Sequence, residues 1–121
     1  MIEALEDDPR FRQAVVLFNG GQWYGCHDGL EELWHETLGP DRPVLQGILQ
    51  IAVAHLHLES GNRNGATVLL GEGLGRLAHS GPEALGLDLD HLRQASSVRL
   101  SALQAGADPA GLPLPELRPQ A

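Results

Sequence analysis

His27 and Glu31 stand four residues apart in the stretch Gly25-Cys26-His27-Asp28-Gly29-Leu30-Glu31-Glu32-Leu33-Trp34-His35. On a helix that spacing puts both on one face, with β-carbons about 5–6 Å apart. An imidazole nitrogen and a carboxylate oxygen so placed support three chemistries. They can ligate a divalent metal such as zinc, iron or manganese. They can act as a general base or anchor beside a small-molecule pocket. They can also satisfy each other inside a core, with Gln46 and Gln50 completing a hydrogen-bond network. A metal would need a third ligand from elsewhere; His57 is the first candidate and His35 the second.

The surroundings of the pair are apolar. With His27 at zero and about 100° per residue, Trp23, Leu30, Trp34 and Leu38 fall within about 60° of it and Glu31 near 40°. Asp28, Glu32 and Glu36 fall on the far side and form an ordinary solvated face. An ionisable pair in the middle of an apolar face is costly unless it is matched.

The matching element is a second helix, about Arg42 to Ser60, which is apolar almost all round and therefore central. Its polar stripe is Gln46, Gln50 and His57, within about 40° of one another by the same step. Facing the two stripes together satisfies both. Gly47 and Ala54 flank the stripe and allow another helix to come close.

The remaining chain supplies the support. Asp8-Pro9 opens a first helix with an acceptor and a proline at the first helical position. Phe11, Ala14, Val15 and Phe18 give it a buried stripe, and Asn19-Gly20-Gly21 ends it. The helix of His27 runs from about Gln22 to Thr37 and stops at Gly39-Pro40. Asp41 is the expected cap of the central helix, and Asn62 or Asn64 that of a fourth, about Arg63 to His79. Gly73 in the fourth helix fits a close crossing, while Gly71 and Gly75 have no such reason. A short turn is expected at Pro82–Leu85. A fifth, peripheral helix spans Asp90 to Gln104, with Leu92, Ser96, Arg99, Leu100 and Leu103 on one side. From Gly106 onward four prolines predict an extended tail. The expectation is an all-α fold: a compact bundle of four core helices plus a peripheral fifth helix and a proline-rich C-terminal tail. Residues 1–105 form a single helical domain and residues 106–121 the tail. No repeat and no strand pattern is evident.

Composition narrows the function. The chain has 121 residues, one domain in size. Sixteen acidic residues face eight basic ones, all arginine, for a net charge of −8. Nucleic acid and anionic membranes need clustered cations, so neither is an expected partner. The single cysteine, Cys26, excludes an internal disulfide framework and reads as a buried, inert thiol. The acidic start from Met1 to Asp8 lacks a signal-peptide pattern, and the cytoplasm is the expected compartment. The apolar run Ile48 to Leu58 is too short to span a bilayer. His55, His79 and His91 have no partner at meaningful spacing and are expected at the surface. The zinc-protease helix motif and the paired Glu-x-x-His motif of di-iron bundles are both absent.

Four blocks taken together are similar to a known family. They are Asn19-Gly20, the His27-x-x-x-Glu31-x-x-Trp34 arrangement, Gln46-Gly47-Ile48-Leu49-Gln50-Ile51-Ala52, and His57-Leu58 followed by Gly61-Asn62 and Gly65-Ala66. They resemble the bacterial and archaeal family catalogued as domain of unknown function 309, over about residues 8 to 78. The resemblance implies a compact helical bundle and a metal-binding role for His27, Glu31 and Trp34, without an established activity. Where many members carry glutamate after the motif histidine, this chain has Asp28.

The functional expectation is a semi-buried polar site between the second and third helices, formed by His27, Glu31, His57, Gln46 and Gln50 beside Trp34. It would hold a divalent metal or a small molecule. Catalytic residues and substrate are not identifiable from the sequence. The alternative is a non-catalytic interaction or homo-oligomerisation module, with a partner surface elsewhere such as a homodimer face, in which the polar core only sets helix register.

Overall fold

The computed structural model describes residues 4–120. Met1 to Glu3 of the acidic start and Ala121 at the end of the expected tail lie outside the described residues. Five helices carry the fold: α1 Pro9–Asn19, α2 Trp23–Glu36, α3 Asp41–Glu59, α4 Arg63–Leu77 and α5 Leu89–Gln104. The all-α class is as expected, and the local chemistry of the ends explains the boundaries. Asp8 accepts a hydrogen bond from the Arg10 amide at 2.9 Å. Asn62 accepts one from the Gly65 amide at 2.9 Å, and Asp88 one from the His91 amide at 3.0 Å. Each satisfies a donor that the first turn leaves free. Asp41 differs from expectation: it is the first helical residue behind Pro40, and its side chain caps nothing.

Short connections fold each helix back on the one before it, so α1 packs on α2, α2 on α3, α3 on α4 and α4 on α5. The central helix is α3, which buries Val44, Leu45, Ile48, Ile51, Ala52 and Ala54. The tightest crossing joins α3 to α4 at two glycines. A β-carbon on Gly73 would sit 2.9 Å from the Gly47 carbonyl oxygen, and one on Gly47 would sit 3.0 Å from the Gly73 carbonyl oxygen. The expected close approach at Gly47 and Gly73 is therefore present.

Three features depart from the sequence reading. First, a two-residue antiparallel ribbon, β1 Glu83–Ala84 and β2 Leu87–Asp88, stands where a short turn was expected. Its loop, Leu85 and Gly86, has φ of 55° and 72°, the positive values of a tight hairpin turn. Second, the C-terminal segment makes a single 3-10 turn at Pro109–Gly111 and is extended beyond it, and it is bound rather than free. The Asn19 amide donates to the Leu117 carbonyl at 2.9 Å and accepts from the Leu117 amide at 2.7 Å. The Asp88 amide donates to the Arg118 carbonyl, and the Gln120 amide to the Gly86 carbonyl. Leu117 is buried in the core.

Third, His55 is not a surface residue. It is 2% exposed, stacked on Trp23 with ring centroids 4.8 Å apart. Arg99 of α5, also buried, donates its Nε–H to His55 Nε2 at 3.0 Å. Guanidinium nitrogens only donate, so His55 Nε2 accepts, and its Nδ1–H donates to the Ile51 carbonyl at 2.8 Å. Arg99 Nη1 donates to the Leu112 carbonyl at 2.9 Å and the Pro109 carbonyl at 3.1 Å. The outermost helix thereby joins the core to the C-terminal segment.

Candidate functional site

A cleft of about 300 Å³ opens between α2, α3 and α4. From α2 it receives His27, Glu31 and Trp34, and from α3 Gln46, Leu49, Gln50 and Val53; Leu69 of α4 closes one wall. The two polar stripes expected from the sequence thus border one cavity. The helical period alone places them: His27, Glu31 and Trp34 recur at intervals of four and three, as do Gln46, Gln50 and Val53.

His27 and Glu31 form a close pair, with Nε2 2.8 Å from Oε2. Their side chains are 28% and 45% exposed, so the pair sits at the mouth rather than in the core. Asp28 Oδ1 lies 3.4 Å from His27 Nδ1, and His35 Nε2 lies 3.8 Å from Glu31 Oε1. Carboxylates thus flank both nitrogens of His27.

Trp34 forms part of the wall. The Arg42 guanidinium carbon lies 4.2 Å above its ring, a cation–π contact that holds the indole in place. Gln50 Nε2 donates to Glu72 Oε2 of α4 at 3.1 Å. Leu49, Val53 and Leu69 supply the apolar lining. Leu49 and Val53 share the stripe of Gln46 and Gln50, so the wheel contained that signal. Leu69 and Glu72 depend on how α4 docks, for which the sequence holds no signal.

His57 is not at the site. It lies in the last turn of α3, where its Nδ1 is 3.3 Å from Asn62 Nδ2. The wheel places it in line with Gln50, but seven residues further on is about 10 Å along the axis. The expected set His27, Glu31 and His57 is therefore not assembled. Among the described residues no three of His, Cys, Asp and Glu gather as a metal-ligand group. His27 and Glu31 supply two donors, where a resident zinc takes at least three from the protein. As placed, the pair by itself falls short of a zinc ligand set by at least one donor.

The neighbouring groups are inert. Cys26 is buried, which pushes its thiol up to about 12. On the outer face of α2, Arg10 forks between Asp8, Glu32 and Glu36 and holds the Glu36 carboxyl below its usual range. No helix among the described residues is long and apolar enough to cross a membrane.

No curated protein matches the chain. Residues 11–69, which include every residue that lines the cleft, match the family described as Domain of unknown function (DUF309), the family that the four sequence blocks resemble.

Proposed function

We propose that this chain binds a small molecule in the cleft between α2, α3 and α4, with His27 and Glu31 as the proton-handling pair at its mouth. One observation carries the reading: polar residues from two helices converge on a single concave, otherwise apolar cavity. That combination is the usual make-up of a ligand site. The exposure of the pair supports it further. A network that merely set helix register would be buried, whereas Glu31 is nearly half exposed. Bound ligand would shield the pair from water and strengthen the attraction between imidazole and carboxylate.

The experiment is a ¹H–¹⁵N NMR titration of the full chain with aromatic and aliphatic fragments of about ten heavy atoms, the size that fits such a cavity. Shifts should cluster at His27, Trp34, Gln46 and Gln50 and disappear in Leu69→Trp, which fills the cleft. Shifts scattered over the surface and unaltered in that variant would overturn the reading. Metal content is measured on the same tag-free protein by plasma mass spectrometry. A near-stoichiometric metal that disappears in both His27→Ala and Glu31→Ala would replace the small-molecule reading with a metal site.

A further inference from the structure

Two atoms in the walls of the cleft lack partners. Trp34 Nε1 and Gln50 Oε1 each expose less than 1 Å² and make no hydrogen bond among the described residues. Their side chains both line the cavity. The orientation of the Gln50 amide is set by Glu72, because only its nitrogen can donate to the carboxylate. Its free atom is therefore an acceptor, while the indole N–H of Trp34 is a donor only. Buried groups of this kind are normally satisfied, and each exception calls for a cause.

We infer that the cleft selects a neutral molecule whose polar end presents an acceptor and a donor side by side, as a primary carboxamide does, on an apolar body. The inference rests on the small-molecule reading above and names its ligand class. A carboxamide oxygen accepts from Trp34 Nε1–H, and its N–H donates to Gln50 Oε1. Both wall atoms are closed to water where they stand. In the inferred complex each side chain turns so that its free atom meets the ligand, and neither atom has bound water to displace. A carboxylate offers no donor to Gln50 and brings negative charge beside Glu31 and Glu72. An ammonium meets Gln50 Oε1 and is drawn toward Glu31 and Glu72, but those carboxylates lie toward solvent, where the attraction is screened, and the indole N–H is left without an acceptor. Either ion also gives up its hydration against Leu49, Val53 and Leu69, which return nothing. The volume of about 300 Å³ is roughly twice that of a cavity known to hold benzene, which gives room for on the order of ten heavy atoms.

The test is a ¹H–¹⁵N titration of the full chain with four probes matched in ring and length: 2-phenylacetamide, phenylacetate, phenethylamine and ethylbenzene. The amide should bind about tenfold tighter than the acid or the amine. It should also move the Trp34 indole resonance downfield. Its advantage over the two ions should vanish in Trp34→Phe and in Gln50→Met. An acid or amine that binds as tightly as the amide would overturn the selectivity and leave the cleft standing as a ligand site. An indole resonance already in its hydrogen-bonded position in the free protein, and released in Gln50→Met, would mean that the two wall atoms pair with each other; the inference then falls. If none of the four probes shifts a cleft residue, both the inference and the reading beneath it fall.

Discussion

Arg99 donates its Nε–H to His55 Nε2 at 3.0 Å, across the interface between α5 and α3. Both residues are buried, and among the described residues no carboxylate hydrogen-bonds to the guanidinium. The pair is stable only while His55 is neutral, because a second proton would place two cations in contact. Burial pushes His55 down from 6.5 to about 4, and the Arg99 charge adds to the shift.

The sign of the pH dependence follows. Between pH 6.5 and 4 the unfolded chain binds a proton at His55 that the folded chain refuses. Stability is therefore fully present above pH 6.5 and declines as the pH falls toward 4, by roughly 3 kcal/mol from this group. Urea unfolding at pH 7 and pH 4.5 measures it. In His55→Gln, whose amide oxygen still accepts from Arg99, the decline should shrink by most of that amount. An unaltered decline would place the acid sensitivity elsewhere.

Arg99 and Asn19 hold the C-terminal segment by its carbonyls and amides. Arg99→Met removes the donors to Pro109 and Leu112 and should cost about 2–3 kcal/mol. Asn19→Ala removes both bonds to Leu117 and should cost about 1–2 kcal/mol. Hydrogen exchange distinguishes a local effect from a global one. In Asn19→Ala the amides of Leu117 and Gln120 should lose protection while those of α3 keep it. Equal loss throughout would show that the segment and the bundle unfold as one unit.

The glycines of α4 are predicted to differ in sign. Gly73→Ala drives a methyl group against the Gly47 carbonyl, which cannot yield, and should cost about 1–3 kcal/mol. A β-carbon on Gly75 meets nothing within 4 Å. Gly75→Ala should thus gain up to about 1 kcal/mol of helix propensity. Thermal melts of the two variants check this. A loss in both would mean that propensity and space do not decide the outcome here.

The His27–Glu31 pair should matter little to stability. Its partners are partly exposed, so His27→Ala should cost about 1 kcal/mol or less. A pair buried as a structural network would instead cost about 3–5 kcal/mol when one member is removed. Chemical denaturation of His27→Ala and Glu31→Gln decides between the two. A large loss in both would make the pair part of the core and remove it from the site.

The helices, most of their ends and the facing of Gln46 and Gln50 toward His27 and Glu31 were legible in the sequence, because they depend on periods and capping rules that act within a few residues; Asp41, which caps nothing, is an exception. Asp8, Asn62, Gly47 and Gly73 occupy the roles their local chemistry assigns. The same local rules place His27, Glu31, Gln46 and Gln50 on faces that meet. What they omit is position along the axis and the identity of distant neighbours. His57 shares an angle with Gln50 but lies about two turns beyond it, so it misses the cleft. His55 looked unpartnered because its partner, Arg99, is 44 residues away. The C-terminal segment looked free because its anchor, Asn19, is 98 residues away. Those contacts form only when five helices dock, and docking is decided by the packing of whole faces, which no short window of sequence contains.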